Sequence, residues 1–322
     1  MPGTCDSFQR GIDYLRISIT DRCNLRCIYC MPSDGVPLVA HQDILSYEEI
    51  LLVVRAAAEI GMNKIRITGG EPLVRAGAVD LVRMISEVEG ISEISMTTNG
   101  ILLYKHAARL AEAGLQRINI SLDTMRPERF KQITRTGDLT DVLEGIRSAG
   151  EAGLDPVKIN VVPMQGINDD EILDFARLTL EKGWHVRFIE LMPMQGAAGL
   201  VPASLLRREI EKLGKLEPHY GLAGNGAAKY FRLPGAGGTV GFIEPISEPF
   251  CHRCNRLRLS ASGKLLPCLF SADGIDVRTP MRGGATLQEI KRLLIDAIAA
   301  KPEMHRLADD CAVHTRMSGI GG

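Results

Sequence analysis

Strand-like and helical segments alternate six times between Tyr14 and Glu190 of this 322-residue chain. The strand-like segments have apolar residues at every second position, and the helical segments show a 3.6-residue period and mostly end near a glycine. Such an alternation predicts a parallel sheet with right-handed crossovers. The strand-like segments are 14–20, 64–68, 93–98, 117–121, 157–162 and 186–190, and the helical segments between them are 46–60, 76–88, 105–113, 139–152 and 169–182.

The number of these units predicts the architecture. A complete TIM barrel has eight strand–helix units, so six units predict an α/β fold with a partial, open (βα)6 barrel of the TIM type. From about Gly214 the alternation stops, and segments 221–226 and 235–241 have the glycine-rich composition of loops. We therefore divide the chain into a barrel domain, 8–228, and a C-terminal region, 229–322, which we expect to cover the gap in the barrel.

The loop after the first strand carries three cysteines, Cys23, Cys27 and Cys30, spaced C-x3-C-x2-C. Thiolates suit an iron–sulfur cluster, and a [4Fe–4S] cube held by three of them keeps one iron open to a small molecule. A structural zinc ion would need a fourth ligand, for which His41 is the nearest candidate. A redox dithiol is a further alternative. The spacing favours the cluster and leaves these two alternatives open.

Residues typical of ligand binding follow the ends of several later strands. In parallel barrels the carboxyl ends of the strands carry the chemistry, so these residues predict one shared site. Each also has a purely structural alternative, such as a tight turn for the glycines or core packing for Tyr29 and Met192. The candidates are Tyr29 in the cysteine loop, Gly69-Gly70-Glu71, Thr97-Thr98-Asn99, Ser121-Leu122-Asp123 and Met192.

A second set of cysteines, spaced C-x2-C-x13-C, lies in the C-terminal region. Three thiolates without an obvious fourth ligand again predict an iron–sulfur cluster. Zinc completed by His252 is the alternative, although a residue between two ligands is poorly placed to close a tetrahedron. Two further cysteines, Cys5 and Cys311, belong to neither set, and we expect both to be buried thiols. The members of the second set are Cys251, Cys254 and Cys268.

Five basic residues lie on strand-like segments, with their apolar neighbours pointing to the opposite face. Cations that face a barrel interior repel one another unless an anion binds between them. A polyanion such as a triphosphate would satisfy several guanidinium groups through bidentate hydrogen bonds. Ordinary ion pairs with barrel carboxylates such as Glu71 or Glu190 are the alternative. The five residues are Arg16, Arg66, Lys158, Arg256 and Arg258.

Composition argues against several classes of partner. The 38 Lys and Arg residues balance 39 Asp and Glu residues, so the chain lacks the basic surplus that attracts nucleic acids or anionic membranes. Aromatic residues make up only 5% of the chain, which argues against a base-stacking surface. No apolar run approaches a membrane span, and residues 1–11 lack the apolar segment of a signal peptide. We expect a cytoplasmic protein that binds neither nucleic acid nor membrane.

The first cysteine loop, with Tyr29 before its third cysteine, resembles that of the radical S-adenosylmethionine superfamily. The resemblance implies that Cys23, Cys27 and Cys30 hold a [4Fe–4S] cluster whose open iron binds S-adenosylmethionine. One electron from the reduced cluster would then cleave the cofactor to a 5′-deoxyadenosyl radical. The residues implied to contact the cofactor are Tyr29, Gly70, Ser121 and Met192.

Motifs over nearly the whole chain resemble one family of that superfamily, the GTP 3′,8-cyclases of molybdenum cofactor biosynthesis. They include Gly-Gly-Glu-Pro, Thr-Thr-Asn-Gly, Ser-Leu-Asp, Pro-Phe-Cys-His-Arg-Cys-Asn-Arg-Leu-Arg, Leu-Pro-Cys-Leu-Phe and a Gly-Gly pair at 321–322. The resemblance implies that the second cysteine set holds another [4Fe–4S] cluster, whose open iron binds the guanine of GTP. The residues implied to bind GTP are Arg16, Arg66, Thr97, Lys158, Arg256 and Arg258.

The same resemblance implies a lyase that converts GTP to (8S)-3′,8-cyclo-7,8-dihydroguanosine 5′-triphosphate, with Gly321 and Gly322 assisting the radical step. It further implies an electron donor and a downstream cyclic pyranopterin monophosphate synthase as partners, and it is compatible with a homodimer. Two alternatives stay open. One is a radical enzyme that modifies a peptide and uses the second cluster as an auxiliary electron carrier, and the other is a non-enzymatic iron–sulfur carrier.

Overall fold

The computed structural model describes residues 4–192, 199–222, 226–271, 273–305 and 317–320. Within these residues, helices surround one large sheet, and two short strands pair separately. The helices are α1 (Tyr47–Glu59), α2 (Ala78–Ser86), α3 (Ala107–Glu112), α4 (Pro127–Thr134), α5 (Leu139–Glu151), α6 (Ile172–Glu181), α7 (Ala203–Ile210), α8 (Arg278–Arg282), α9 (Leu287–Ala299) and α10 (Met317–Ile320). The strands are β1 (Tyr14–Ser18), β2 (Lys64–Thr68), β3 (Glu93–Thr98), β4 (Arg117–Ser121), β5 (Val157–Val161), β6 (Met164–Gln165), β7 (His185–Ile189), β8 (Gly199–Leu200), β9 (Glu217–Pro218), β10 (Lys229–Arg232), β11 (Thr239–Ile243), β12 (Arg256–Leu259), β13 (Lys264–Leu266) and β14 (Ile275–Asp276).

Six parallel strands form the centre of the large sheet. Strands β1 to β5 and then β7 lie side by side in chain order, each parallel to the next. This order is the one expected when crossover segments return the chain to the next parallel strand. The predicted α/β fold with a partial barrel of six units is therefore confirmed.

Strands from the C-terminal region extend this sheet at both edges. Strand β12 pairs in parallel with β1, and β11 pairs in parallel with β7. The prediction of a loop over 235–241 is therefore wrong in part, because Thr239, Val240 and Gly241 belong to the buried strand β11. The sheet runs continuously across the proposed division at residues 228 and 229, and that division stays a prediction.

Helix α1 shows how local sequence sets the elements. Ser46 accepts a hydrogen bond from the backbone of Glu49, and the Glu49 side chain accepts one from the backbone of Ser46, so a capping box starts the helix. Ile50 and Val53 on its inner face are fully buried. Helix α4 was not predicted, although Pro127 at its first position is a recognised signal for a helix start.

The central strands separate apolar and cationic residues between the two faces of the sheet. Leu15 and Ile17 of β1 are fully buried in the apolar core cluster. Arg16 lies between them in sequence and lines a cavity on the other face, as does Arg66 of β2. The two-residue period of a strand thus places positive charge inside the partial barrel, as the sequence predicted.

Candidate active site

Two cavities, of about 210 and 170 Å³, share a wall. The first-cysteine cavity contains Cys23, Cys27 and Cys30, and the second-cysteine cavity contains Cys251, Cys254 and Cys268. The two cavities are therefore adjacent. The residues that line both cavities, and so form the wall, are Thr97, Asn160, Ile189 and Met192.

The cysteine loop of the first cavity is held by its neighbours on both sides. The backbone amide of Gly70 donates to the carbonyl of Thr20 at 2.8 Å. A side chain at Gly69 or Gly70 would collide with the carbonyls of Thr20 and Arg22. The two glycines therefore permit the close approach of this loop to the backbone that leads into the cysteines.

Helix α4 supports the same loop from the opposite side. The backbone amides of Arg26 and Ile28 donate to carbonyls at the end of this helix. The Arg26 guanidinium also donates a hydrogen bond to the carbonyl of Cys23 at 2.7 Å. The Arg135 guanidinium donates hydrogen bonds to the carbonyls of Arg26 at 2.6 Å and Met31 at 3.0 Å. These bonds fix the loop independently of any metal.

Glu71 joins the ends of β2 and β3 beneath the first cavity. Its fully buried carboxylate accepts hydrogen bonds from the Thr98 hydroxyl and from the backbone amide of Asn99, both at 2.7 Å. Burial raises the pKa of Glu71 to about 7. Asn99 in turn donates its side-chain amide to Asn24 at 2.8 Å. The strand ends are thereby connected to the cysteine loop.

Tyr29 is oriented by Asp123, one of the residues that follow β4. The Tyr29 hydroxyl donates to Asp123 Oδ2 at 2.7 Å, and the Val162 amide donates to Asp123 Oδ1 at 2.8 Å. Burial raises the pKa of Asp123 to about 6. All four predicted cofactor contacts line this cavity, namely Tyr29, Gly70, Ser121 and Met192.

The thiols of the first set lie in a poorly solvated environment that also contains carboxylates. Burial raises the pKa of Cys27 well above its usual value, and Asp123 adds to the effect. Burial likewise raises the pKa of Cys23, with Glu71 contributing, and raises that of Cys30 to about 11. A metal ion or cluster that bound these sulfurs would supply the positive charge that their thiolate form needs.

The second set has a cationic environment instead. Burial opposes ionisation of Cys254, but Lys301 and Arg256 outweigh it, so the pKa of this thiol is lowered. The Lys301 ammonium lies 3.9 Å from Cys254 Sγ. Cys268 shows the opposite balance, because burial raises its pKa more than the nearby cations lower it.

A row of three arginines lies on the wall of the second-cysteine cavity. Arg16 of β1 is in register with Arg66 of β2 on one side and with Arg258 of β12 on the other. Neighbouring strands lie about 4.8 Å apart, so three guanidinium groups share a small volume. Burial, together with nearby Arg256, lowers the pKa of Arg258 to about 10. This concentration of charge favours a bound polyanion.

Lys158 lies on a smaller adjoining cavity that Arg66 also lines. Burial lowers the pKa of Lys158 to about 6, and the neighbouring cations, led by Arg187, lower it in the same direction. Arg187 was missed in the sequence. It is 4% exposed on β7, between Val186 and Phe188, so the same alternation that identified Arg16 could have found it.

Unsatisfied polar atoms in the second-cysteine cavity indicate a polar ligand. Buried polar atoms normally have hydrogen-bond partners, yet several buried polar atoms of residues that line this cavity have none in the described structure. They belong to both the shared wall and the cationic side. Among them are Thr97 Oγ1, Asn160 Oδ1, Arg187 Nε and Arg256 Nε.

The two carboxylates suggested as ion-pair partners for the cations have other contacts. Glu71 accepts the hydrogen bonds described above from β3, and Glu190 accepts bonds from the backbone amides of Ile246 at 2.8 Å and Ser247 at 3.1 Å. Both carboxylates therefore stabilise loops at strand ends.

The arrangement of the cysteines also bears on the zinc alternative. In the part of the chain that the structure describes, no three His, Cys, Asp or Glu side chains converge as one metal ion would require. A zinc ion gathers its ligands at about 2.0–2.3 Å around one point, whereas a cluster distributes its cysteines over different irons. Among the described residues, neither cysteine set converges on one point as the ligands of a single zinc ion would. Cys5 is exposed, not buried as we had expected, and Cys311 lies outside the described residues.

Comparisons with known proteins agree with this geometry. Residues 17–179 match the model of the Radical SAM superfamily, and residues 184–307 match the model described as Molybdenum Cofactor Synthesis C. The GTP 3′,8-cyclase of Pelotomaculum thermopropionicum is 54% identical over 98% of this chain and 99% of its own length. That of Moorella thermoacetica is also 54% identical, with the same coverage. The chain belongs to the GTP 3′,8-cyclase family of the radical SAM superfamily.

A more distant solved structure shares the fold of this family member. Streptococcus suis SuiB, in its structure bound to the precursor peptide SuiA, superimposes with a TM-score of 0.60 at 15% identity. The match covers 91% of this chain but only 65% of SuiB. At this identity the likeness concerns the fold alone.

Membership of the superfamily implies one [4Fe–4S] cluster and S-adenosylmethionine, and the first-cysteine cavity has the three sulfurs and the adjoining space for them. The predicted GTP contacts Arg16, Arg66, Thr97, Arg256 and Arg258 line the second-cysteine cavity, with Lys158 beside it. Gly321 and Gly322 lie outside the described residues. Among the helices that the structure describes, none has the length and apolar character to cross a bilayer.

Proposed function

We propose that this chain is a GTP 3′,8-cyclase, a radical S-adenosylmethionine lyase of molybdenum cofactor biosynthesis. The observation that carries the proposal is the wall that the two cavities share. On one side are the three cysteines of the radical S-adenosylmethionine motif. On the other side is a row of arginines suited to a triphosphate. Such a wall would place the cofactor against the ribose of GTP, and proximity of this kind lowers the entropic part of a barrier.

In the first cavity, Cys23, Cys27 and Cys30 would hold the cluster. When bound and reduced, the cluster would supply the electron for cleavage of S-adenosylmethionine, and thereby the radical chemistry directed at C3′ of GTP. The chain's own part is to orient the cofactor. Asp123 fixes the Tyr29 side chain through a hydrogen bond. The predicted contacts are Tyr29, Gly70, Ser121 and Met192.

In the second cavity, Cys251, Cys254 and Cys268 would hold a second [4Fe–4S] cluster that binds the guanine. The support is the number of cysteines and their position in the cavity that adjoins the first one. Thr97 and Asn160, whose buried oxygens have no hydrogen-bond partner in the described structure, would contact the nucleotide at the shared wall.

The cationic residues would bind the triphosphate and hold the nucleotide in one orientation. Arg16, Arg66 and Arg258 form the row in register, and Arg256 and Lys158 flank it. Charge-assisted hydrogen bonds from arginine to phosphate are strong and directional. They would stabilise the substrate at a site where the guanidinium groups otherwise repel one another.

The Gly321-Gly322 pair would act beside the arginine row. Arg258 donates a hydrogen bond to the carbonyl of Ile320 at 3.5 Å, and Ile320 is 2% exposed. The residue that precedes the glycines is therefore buried next to Arg258, which supports this proposal. We expect deletion of Gly321 and Gly322 to abolish the cyclised product, while iron content and uncoupled S-adenosylmethionine cleavage persist. Full cyclase activity after deletion would contradict this role.

An electron donor, a downstream cyclic pyranopterin monophosphate synthase and a homodimeric state belong to the same proposal. A peptide-modifying radical enzyme with an auxiliary cluster would have no use for the arginine row. A non-enzymatic carrier would not cleave S-adenosylmethionine.

Anaerobic reconstitution tests the proposed function. The chain is supplied with iron and sulfide, then with S-adenosylmethionine, dithionite and GTP, and the products are separated by chromatography. We expect 5′-deoxyadenosine together with the cyclised dihydro-GTP. Cleavage of S-adenosylmethionine that leaves GTP unchanged would favour the peptide-modifying alternative, and no cleavage would favour the carrier.

A further inference from the structure

A buried lysine contacts the second cysteine set from outside the cavity. Lys301 follows the end of α9 and is 4% exposed. Its Nζ donates to the carbonyl of Arg256 at 2.6 Å and to that of Pro267 at 2.8 Å, and it lies 3.9 Å from Cys254 Sγ. An ammonium has three donors, so all three are directed at the segments that carry Cys254 and Cys268.

The backbone next to Lys301 is fixed in turn by Arg10. Arg10 forms a buried ion pair with Asp6 at 2.6 Å and donates to the carbonyl of Pro302 at 2.7 Å. It also donates to the carbonyl of Cys251 at 2.7 Å. The segment after α9 is therefore held against the remaining cysteine of the set, so the position of Lys301 is determined from both sides.

The charge of Lys301 is compensated by the site itself. A buried ammonium is costly unless its hydrogen bonds are made and an anion lies nearby. Two carbonyls supply the hydrogen bonds, and the Cys254 sulfur in its metal-binding thiolate form supplies the anion. The arrangement is therefore matched to the metal-loaded state of the second set.

We propose that Lys301 is a positioning residue of the second cysteine set, which holds the segments of Cys254 and Cys268 in register and places a positive charge beside the Cys254 sulfur. The proposal rests on the proposed function in that the second set binds a metal group. For an iron–sulfur cluster, net charge and hydrogen bonds to the sulfurs set the reduction potential. A cation at this point favours the reduced state.

The test uses the Lys301→Met variant in a Cys23→Ala/Cys27→Ala/Cys30→Ala background, where all bound metal belongs to the second set. Methionine keeps much of the volume and removes the charge and the donors. We expect iron and sulfide per chain to fall several-fold, and the cluster that remains to show a more negative midpoint potential in a redox titration followed by electron paramagnetic resonance. Lys291→Met is the matched control, because Lys291 lies on α9 and pairs with Glu59 at the surface. It should change neither quantity.

A second parent chain, which lacks the second cysteine set, distinguishes a role of Lys301 at that set from a role in the stability of the whole fold. In a Cys251→Ala/Cys254→Ala/Cys268→Ala chain, Lys301→Met should leave the iron of the first set unchanged. Loss of metal from both sets alike would overturn the proposal, as would equal metal content and equal potential with and without Lys301. The metal found in the parent chain tests the proposed function separately. If it were zinc, the second cluster would be refuted, and the ratio of zinc in variant and parent would still decide the role of Lys301.

Discussion

The two cysteine sets offer the same number of thiolates in opposite electrostatic surroundings. Burial and nearby Glu71 and Asp123 raise the pKa values of Cys23 and Cys27. At the second set, Lys301 and Arg256 overcome burial and lower the pKa of Cys254. The number of cysteines therefore does not distinguish the two sites, whereas the charges of the neighbouring side chains do.

This difference agrees with ligands of opposite charge. S-adenosylmethionine carries a sulfonium cation, and the cavity proposed to bind it is lined by the carboxyl groups of Asp123 and Glu190. GTP carries a triphosphate, and the cavity proposed to bind it is bordered by arginines. We infer that each set of cysteines is accompanied by the charges that its own organic ligand requires.

The largest effects on metal content and activity are expected when either cysteine set is removed. With two [4Fe–4S] clusters the chain should contain about eight irons, and each triple Cys→Ala variant should lose half of them. Without Cys23, Cys27 and Cys30, S-adenosylmethionine cleavage should fall to background. Without Cys251, Cys254 and Cys268, cleavage should persist while the cyclised product disappears. Iron, sulfide and product assays check this, and stoichiometric zinc at the second set would contradict it.

Loss of one arginine of the row should affect only the second cavity. We expect Arg258→Ala to weaken GTP binding by about 1.5–3 kcal/mol, because a charge-assisted hydrogen bond is lost. Calorimetry on the reconstituted protein measures the effect, and S-adenosylmethionine binding should not change. Arg126→Ala is the control, since Arg126 forms a half-exposed ion pair with Asp170. GTP affinity should fall in each Ala variant of the five basic residues. If it were unchanged in all of them, the residues would form ordinary ion pairs and would not bind the triphosphate. The five are Arg16, Arg66, Lys158, Arg256 and Arg258.

The lowered pKa of Lys158 predicts that GTP binding depends on pH. In the free chain the pKa of Lys158 is about 6, so near pH 8 the side chain is mostly neutral. A bound triphosphate favours the charged form and raises this pKa, so binding takes up a proton. Affinity should therefore rise as pH falls from about 8 to 6, by up to about tenfold per pH unit, and level off below pH 6.

The control for this pH dependence is Lys158→Arg, which stays charged throughout the range. The γ-phosphate of GTP also titrates near neutral pH, and the arginine variant retains that contribution alone. Calorimetry in buffers of different ionisation enthalpy counts the protons directly. Equal proton uptake by the wild type and Lys158→Arg would show that Lys158 is already charged before GTP binds.

The smallest effect is expected at Tyr29. Asp123→Asn weakens the acceptor that orients the Tyr29 hydroxyl, which should cost about 1 kcal/mol, or roughly fivefold in S-adenosylmethionine affinity. GTP affinity should be unaffected. Asp170→Asn, at an exposed carboxylate, is the matched control. A larger loss of GTP binding than of S-adenosylmethionine binding would show that the two cavities are not separable in this way.

Local patterns predicted much of the barrel and the placement of its site residues. The two-residue period identified the six central strands, and the same period placed Arg16, Arg66 and Arg258 inside. Helix α4 and strand β11 were missed because the first is short and polar and the second follows a glycine-rich segment. Their positions depend on packing against the cysteine loop and against β7.

The contrast between the two cysteine sets could not be predicted from the sequence. Glu71 lies 41 residues from Cys30, and Lys301 lies 33 residues from Cys268, the nearest cysteine of each set. No motif marks Lys301, because its contacts depend on where α9 ends relative to two separate loops. Long-range placement of this kind appears only in the folded chain.

The most direct measurement of the central claim follows one hydrogen atom across the shared wall. The reconstituted chain is supplied with S-adenosylmethionine, dithionite and GTP that carries deuterium at C3′, and the 5′-deoxyadenosine is analysed by mass spectrometry. The account predicts one deuterium in 5′-deoxyadenosine, together with cyclised product that has lost it. Unlabelled 5′-deoxyadenosine formed alongside unchanged GTP would contradict the account.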